Sequence, residues 1–319
     1  EFVAMVGEEC YKAGAKAVYV DWSYQPVGKL NAVYRSLETL SELSPWEKAK
    51  WEYKASDLSC RLFIESEDPD GMAGIDQEKM SKARRAQYPQ LKPFRDAIEN
   101  RHQWCIAAVP GKAWAKKVFP ELSEKKAVEK MWKVILYTAR ADGKNPVKDW
   151  KEHNADLEKR CNYLNSLGLN YLEYKSSNGT DFRVELNEDG LFCGGDEKTL
   201  KGRVFNPNIP SEEVFTSPKA GAAEGIVYAT KPLSYQGQLI ENFSVRFTNG
   251  RVSEVKAEKG EELLKQMVSM DEGAAMLGEC ALIPYDSPIN NSGVLFYNTL
   301  FDENASCHLA LGHGFNECL

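Results

Sequence analysis

The feature that most constrains this chain is a change of texture near Asn170. Up to about Pro120, short apolar runs at residues 17–22, 61–65 and 104–110 alternate with helical stretches, the first an amphipathic helix through Gly14. Strands separated by helices predict a parallel sheet with helices on its faces. From Ser123, a good N-cap, a helical block runs to about Arg140, restarts after Asn145-Pro146 and stops near Gly168. Strands dominate beyond it, at residues 171–174, 181–186, 226–230 and 243–247. Asn249-Gly250 joins the last of these to residues 252–255, and Asn-Gly between alternating strands is a strong hairpin signal. Helices over 261–269 and through Ala274 and Ala275 interrupt the strands. The expected fold is therefore α/β followed by α+β. Residues 1–120 form an N-terminal parallel-sheet domain; residues 121–319 form a helical linker and a larger, mixed, mostly antiparallel domain.

Composition narrows the function classes. The alternation in the first part has the character of nucleotide-binding sheets, but no G-x-G-x-x-G follows its strands, which argues against a dinucleotide site. The formal net charge is -7 and the longest basic run is Lys82-Ala83-Arg84-Arg85, so no nucleic-acid partner is expected. No run approaches the roughly 18 apolar residues that span a bilayer, so no membrane is expected either. Eight cysteines lie scattered without a C-x-x-C pair, which reads as a reducing cytoplasm. The chain opens at Glu1 inside a helical pattern and stops at Leu319 with no helix terminator, as if cut at both ends.

Chemistry concentrates late in the chain, where acids and a histidine sit among small and apolar residues. Glu279 lies in Leu277-Gly278-Glu279-Cys280-Ala281-Leu282. Burying a carboxylate there costs several kcal/mol unless something compensates it, and a metal ion is the leading candidate. The alternative is a surface acid at a strand edge. Glu212 and Glu213 stand between Pro210 and Pro218, which makes a rigid non-helical segment able to aim a carboxylate. Alternatively, Ser211 caps a turn and both acids face water. His308, within Ala305-Ser306-Cys307-His308-Leu309-Ala310, reads as inward-facing, either a ligand or a satisfied core histidine. Asp302 and Glu303 are candidates to orient that imidazole or to sit as a charge pair at a helix start, and His313 reads as a loop residue. Glu, Glu and His so far apart match no metal-motif spacing, and residues alone lead only to a metal hydrolase.

Five strings in order sharpen this reading: Ile209-Pro210-Ser211-Glu212-Glu213-Val214-Phe215-Thr216, Lys231-Pro232-Leu233-Ser234-Tyr235, Gly278-Glu279-Cys280-Ala281-Leu282, Tyr285-Asp286-Ser287-Pro288-Ile289, and the run from Leu300 through Asp302, Glu303 and His308 to Gly312. Together they resemble the thermophilic metallo-aminopeptidase family that includes aminopeptidases T and S. The resemblance implies a cytosolic, dimeric enzyme that removes N-terminal residues from peptide substrates with two divalent ions, Zn, Co or Mn. It places metal ligands at Glu213, Glu279 and His308, with Glu279 bridging or acting as general base. Glu212 is the expected contact for the substrate's α-amino group. Two further family ligands belong to a His-x-Asp motif that is not found in these 319 residues, and truncation is the preferred explanation. Phe315 stands where some members carry a tyrosine, so no phenol is available there. Two other classes stay open: a catalytically silent peptide-binding or scaffold relative, and another metal-dependent amidohydrolase.

Overall fold

In the computed structural model, all residues but Gln236 are described. Helices α1 (Phe2–Lys12), α2 (Gln25–Tyr34), α3 (Leu37–Ser41) and α4 (Pro45–Asp57) precede strand β1 (Arg61–Glu65), and α5 (Gln77–Ile98) crosses to β2 (Trp104–Ala108). β1 and β2 pair in parallel, as the helix between them requires. The run at 17–22 is not a strand. Val18 N–H donates to the Tyr11 hydroxyl, and Tyr19 and Trp22 are exposed. An apolar run becomes a strand only beside a free strand edge, and these residues pair with neither β1 nor β2.

Helices α6 (Lys112–Val118), α7 (Glu124–Thr138) and α8 (Pro146–Ser166) follow. α8 begins where local chemistry dictates: Pro146 occupies its first turn and the Asn145 side chain accepts the Lys148 N–H. Its inward residues His153, Leu157 and Cys161 recur every four positions, while Lys148 and Glu152 pair on the exposed face. Ala127, Met131 and Ile135 of α7 share one core with Ala108, Trp114 and Phe119 before residue 120 and with Phe296 and Phe301 far beyond it.

The second part contains β3 (Tyr171–Lys175), β4 (Asp181–Leu186), the short pair β5 (Glu197–Lys198) and β6 (Val204–Phe205), then β7 (Val214–Thr216), β8 (Pro218–Tyr228), β9 (Leu233–Tyr235), β10 (Gln238–Thr248) and β11 (Arg251–Lys259). The large antiparallel sheet runs β11-β10-β8-β4-β3, with β9 on β10. The hairpin at Asn249-Gly250 forms as expected, with both residues at positive φ. Helix α9 (Glu261–Val268) covers this sheet. The helix expected through Ala274 and Ala275 is a turn, because the Asp271 carboxylate accepts the N–H groups of Gly273 and Ala274 and draws the backbone away from helix. Strand β12 (Leu277–Leu282), the short helices α10 (Pro288–Ser292) and α11 (Thr299–Asp302), and β13 (His308–Leu311) complete the chain. A second, three-stranded antiparallel sheet has the order β13-β12-β7.

Candidate metal centre

The small sheet brings the three expected ligands together. In its register Ala281 of β12 lies opposite His308 of β13 on one side and Phe215 of β7 on the other. Opposed residues share a face and side chains alternate along a strand, so Glu279, Ala281, His308 and Phe215 lie on one face. Glu213, just before β7, is in phase with Phe215. Cys280, Leu309 and Leu311 turn to the other face and join the core under the large sheet. The buried methyl of Ala281 leaves room between the long acids on its own face.

Glu213, Glu279 and His308 each offer a ligand atom, all within 4.8 Å of one another. Both glutamates are buried, at 7% and 8% exposure. His308 Nδ1 lies 2.9 Å from the Glu303 carbonyl oxygen and donates to it, which places the ring proton there. Nε2 therefore presents a lone pair toward Glu213 Oε2, 3.3 Å away. That Oε2 is buried and receives no hydrogen bond. Two acceptors facing each other in a buried pocket need a proton or a cation between them. Carboxylate oxygens with a neutral imidazole nitrogen suit a divalent ion, so the residues fit a metal.

The electrostatics agree. Burial, aided by the charges of Glu303 and Glu279, pushes the Glu213 carboxyl well above the usual carboxylate range. Burial raises Glu279 to about 7. Glu303 rises to about 8 through burial and through the charges of Glu279, Glu65 and Asp302. Burial holds the His308 imidazole below its ordinary value, against the pull of its two carbonyl partners. Every group is driven toward its neutral form, as expected of a pocket short of positive charge.

Some expected roles move. Glu212 is 2% exposed and its carboxylate is held by both Nη atoms of Arg140, the Nη2–Oε2 bond being 2.8 Å. The charge expected to meet a substrate amine is thus already partnered by Arg140 in this structure. Asp302 does not orient the imidazole either. Its carboxylate accepts the N–H groups of Phe296 and Asn298, and it is the backbone of Glu303 that fixes His308. His313 is an exposed loop residue. The Phe315 ring packs 4.9 Å from that of Phe215. Arg140, His153 and Asn304 hold Ser211 and Glu212; Arg140 and His153 belong to no motif, and Asn304, inside the run from Leu300 to Gly312, carried no expected role of its own. The one available signal is a lone arginine at the end of a helical block.

A family described as thermophilic metalloprotease (M29) matches residues 1–319. Aminopeptidase AmpS of Bacillus subtilis is 39% identical over 316 residues, spanning 99% of this chain and 77% of that protein. Aminopeptidase T of Thermus thermophilus is 38% identical over 320 residues, covering 100% of this chain and 78% of its own. The structure of wild-type AmpT from Thermus thermophilus superposes with a TM-score of 0.89 at 37% identity, over 99% of this chain and 78% of that one.

Proposed function

The chain belongs to the thermophilic metalloprotease family M29, and on that premise we propose that it is a metal-dependent aminopeptidase whose metal centre is built on Glu213, Glu279 and His308. Relatives called aminopeptidases, 38–39% identical over nearly all of this chain, support the reaction class, a hydrolase acting on free peptide N-termini. The observation that carries the site is the orphaned Glu213 oxygen facing a lone pair of His308 inside a pocket of buried carboxylates.

A divalent pair, when bound, supplies an acidified water and polarises the scissile carbonyl. The protein's own part is to hold the ions and manage the proton. Glu213 and His308 would hold the metal from two edges of the small sheet, and Glu279, from its central strand, would serve as a further ligand or as general base. A proton accepted from the attacking water must pass to the leaving amine, which calls for a carboxyl that changes state near neutral pH. Glu279, set in the central strand between Glu213 and His308, is the proposed carboxyl for that task. The metal identity within Zn, Co and Mn, and the full complement of two ions, are part of this proposal.

Eight free thiols support placement in the reducing cytoplasm. Among the described residues no helix is long and apolar enough to cross a membrane. A homodimer, as the family resemblance implies, is part of this proposal.

The test is a panel of free-amine and N-blocked peptides with added Zn, Co or Mn. Turnover of the free-amine peptides alone is expected, with Glu279→Gln lower by about 10²–10⁴-fold. Hydrolysis of blocked peptides would favour another amidohydrolase, no hydrolysis at all would favour a silent binding relative, and unchanged turnover in Glu279→Gln would refute its role.

A further inference from the structure

Glu213 Oε2 receives no hydrogen bond from the protein, whereas the backbone leading into Glu213 is gripped by its surroundings. Three groups hold that backbone. The His153 ring nitrogen Nε2 lies 2.7 Å from the Ser211 carbonyl oxygen. The Glu212 N–H donates to Asn304 Oδ1 at 2.7 Å. The Glu212 carboxylate is gripped by Arg140, whose own backbone is left-handed at φ 51° just past the end of α7. Asn304 in turn donates through Nδ2 to the Leu300 carbonyl at 3.2 Å, and its own carbonyl accepts the Ser287 hydroxyl at 2.8 Å. It is fully buried. Its chain neighbour Glu303 supplies the carbonyl that fixes the His308 ring. One clamp therefore ties the segment bearing Glu213 to the turn that orients His308.

We propose that Arg140, through its paired grip on Glu212 and the Glu212–Asn304 bond, is a positioning residue that fixes the Glu213–His308 separation and so sets the metal affinity of the centre. A merely structural role is the competing explanation, and it fits the chemistry less well. Burying an ion pair gains little net stability over apolar residues of similar size. Ligand geometry benefits directly from a planar, two-pronged grip that fixes direction as well as distance. Groups that orient metal ligands from behind typically change metal affinity 10–100-fold when removed.

This inference rests on the metal-centre reading, and the experiment separates the two. Cobalt(II) alone is titrated into the protein and into variants, with binding followed by calorimetry and by the visible absorption of the bound ion, and with thermal stability measured in parallel. Arg140→Met is expected to bind cobalt about 10–100-fold more weakly. Arg140→Lys should fall between it and the unaltered protein, because one ammonium cannot reproduce two parallel N–H···O bonds. The double variant Arg140→Met/Glu212→Leu leaves no unpaired buried charge, so it should regain stability but keep the weakened affinity and an altered cobalt spectrum. Unaltered affinity and spectrum in the double variant, or in Arg140→Lys, would overturn the positioning role. Glu213→Gln is the control: if it binds cobalt as tightly as the unaltered protein, the metal-centre reading falls and the clamp with it; if it loses binding while the Arg140 variants do not, only the clamp falls.

Discussion

The Glu279 carboxyl illustrates what burial does to a single side chain. In the folded protein it titrates near 7, against an ordinary value of 4.5. Between those pH values the folded state holds a proton that the unfolded state has released. Stability of the metal-free protein through this group is therefore complete at the acid end of the window and falls as pH rises through it, on the order of 3 kcal/mol in all. His308, held below its ordinary value by burial, works the other way: the unfolded state binds its proton first, so its contribution rises with pH. The Glu279 contribution is isolated by comparing urea unfolding of the unaltered protein and Glu279→Gln, both with chelator, at pH 5 and pH 7.5. The unaltered protein should lose stability relative to the variant as pH rises; a constant difference would contradict the buried-acid account. Metal binding requires the same carboxyl to be deprotonated, so affinity should increase over the same window with release of protons.

At the scale of the element, the site is a consequence of register. One residue of slippage in β12 would send Glu279 into the core under the large sheet and turn Cys280 toward His308. The large sheet depends on its hairpin in a similar way. Gly250 sits at φ 73°, where a Cβ would also fall against the Gly221 backbone. Gly250→Ala should destabilise the protein by about 1–3 kcal/mol in denaturant unfolding, and an unchanged midpoint would contradict the hairpin's tight fit. Local signals of this kind were legible in the sequence: the helix restart after Asn145-Pro146, the Asn249-Gly250 turn, and the strands at 61–65 and 181–186 all depend on neighbours in the chain. The run at 17–22 misled because strand formation is decided by a distant edge, and Ala274-Ala275 misled because one Asp271 carboxylate outweighed helix propensity. The ligands were legible through resemblance, since their spacing alone carries no metal signature. Arg140, His153 and Asn304 were not, because each acts through one contact with a residue at least 58 positions away.

At the scale of the whole molecule, the core containing Trp114, Met131 and Phe301 spans both sides of residue 120 and packs behind the turn that carries Glu303 and His308. The metal face thus rests on helices from the first part of the chain and on strands from the second. The proposed ligands, just before β7 and in β12 and β13, can meet only if that joint packing is correct, which would make metal occupancy a readout of the whole fold. The most direct test is a crystal structure of the protein grown with zinc or cobalt, with data collected on both sides of the metal's absorption edge. The account predicts an anomalous peak within about 2.0–2.2 Å of a Glu213 or Glu279 oxygen and of His308 Nε2. A peak coordinated elsewhere, with these three side chains left unligated at full metal occupancy, would contradict it.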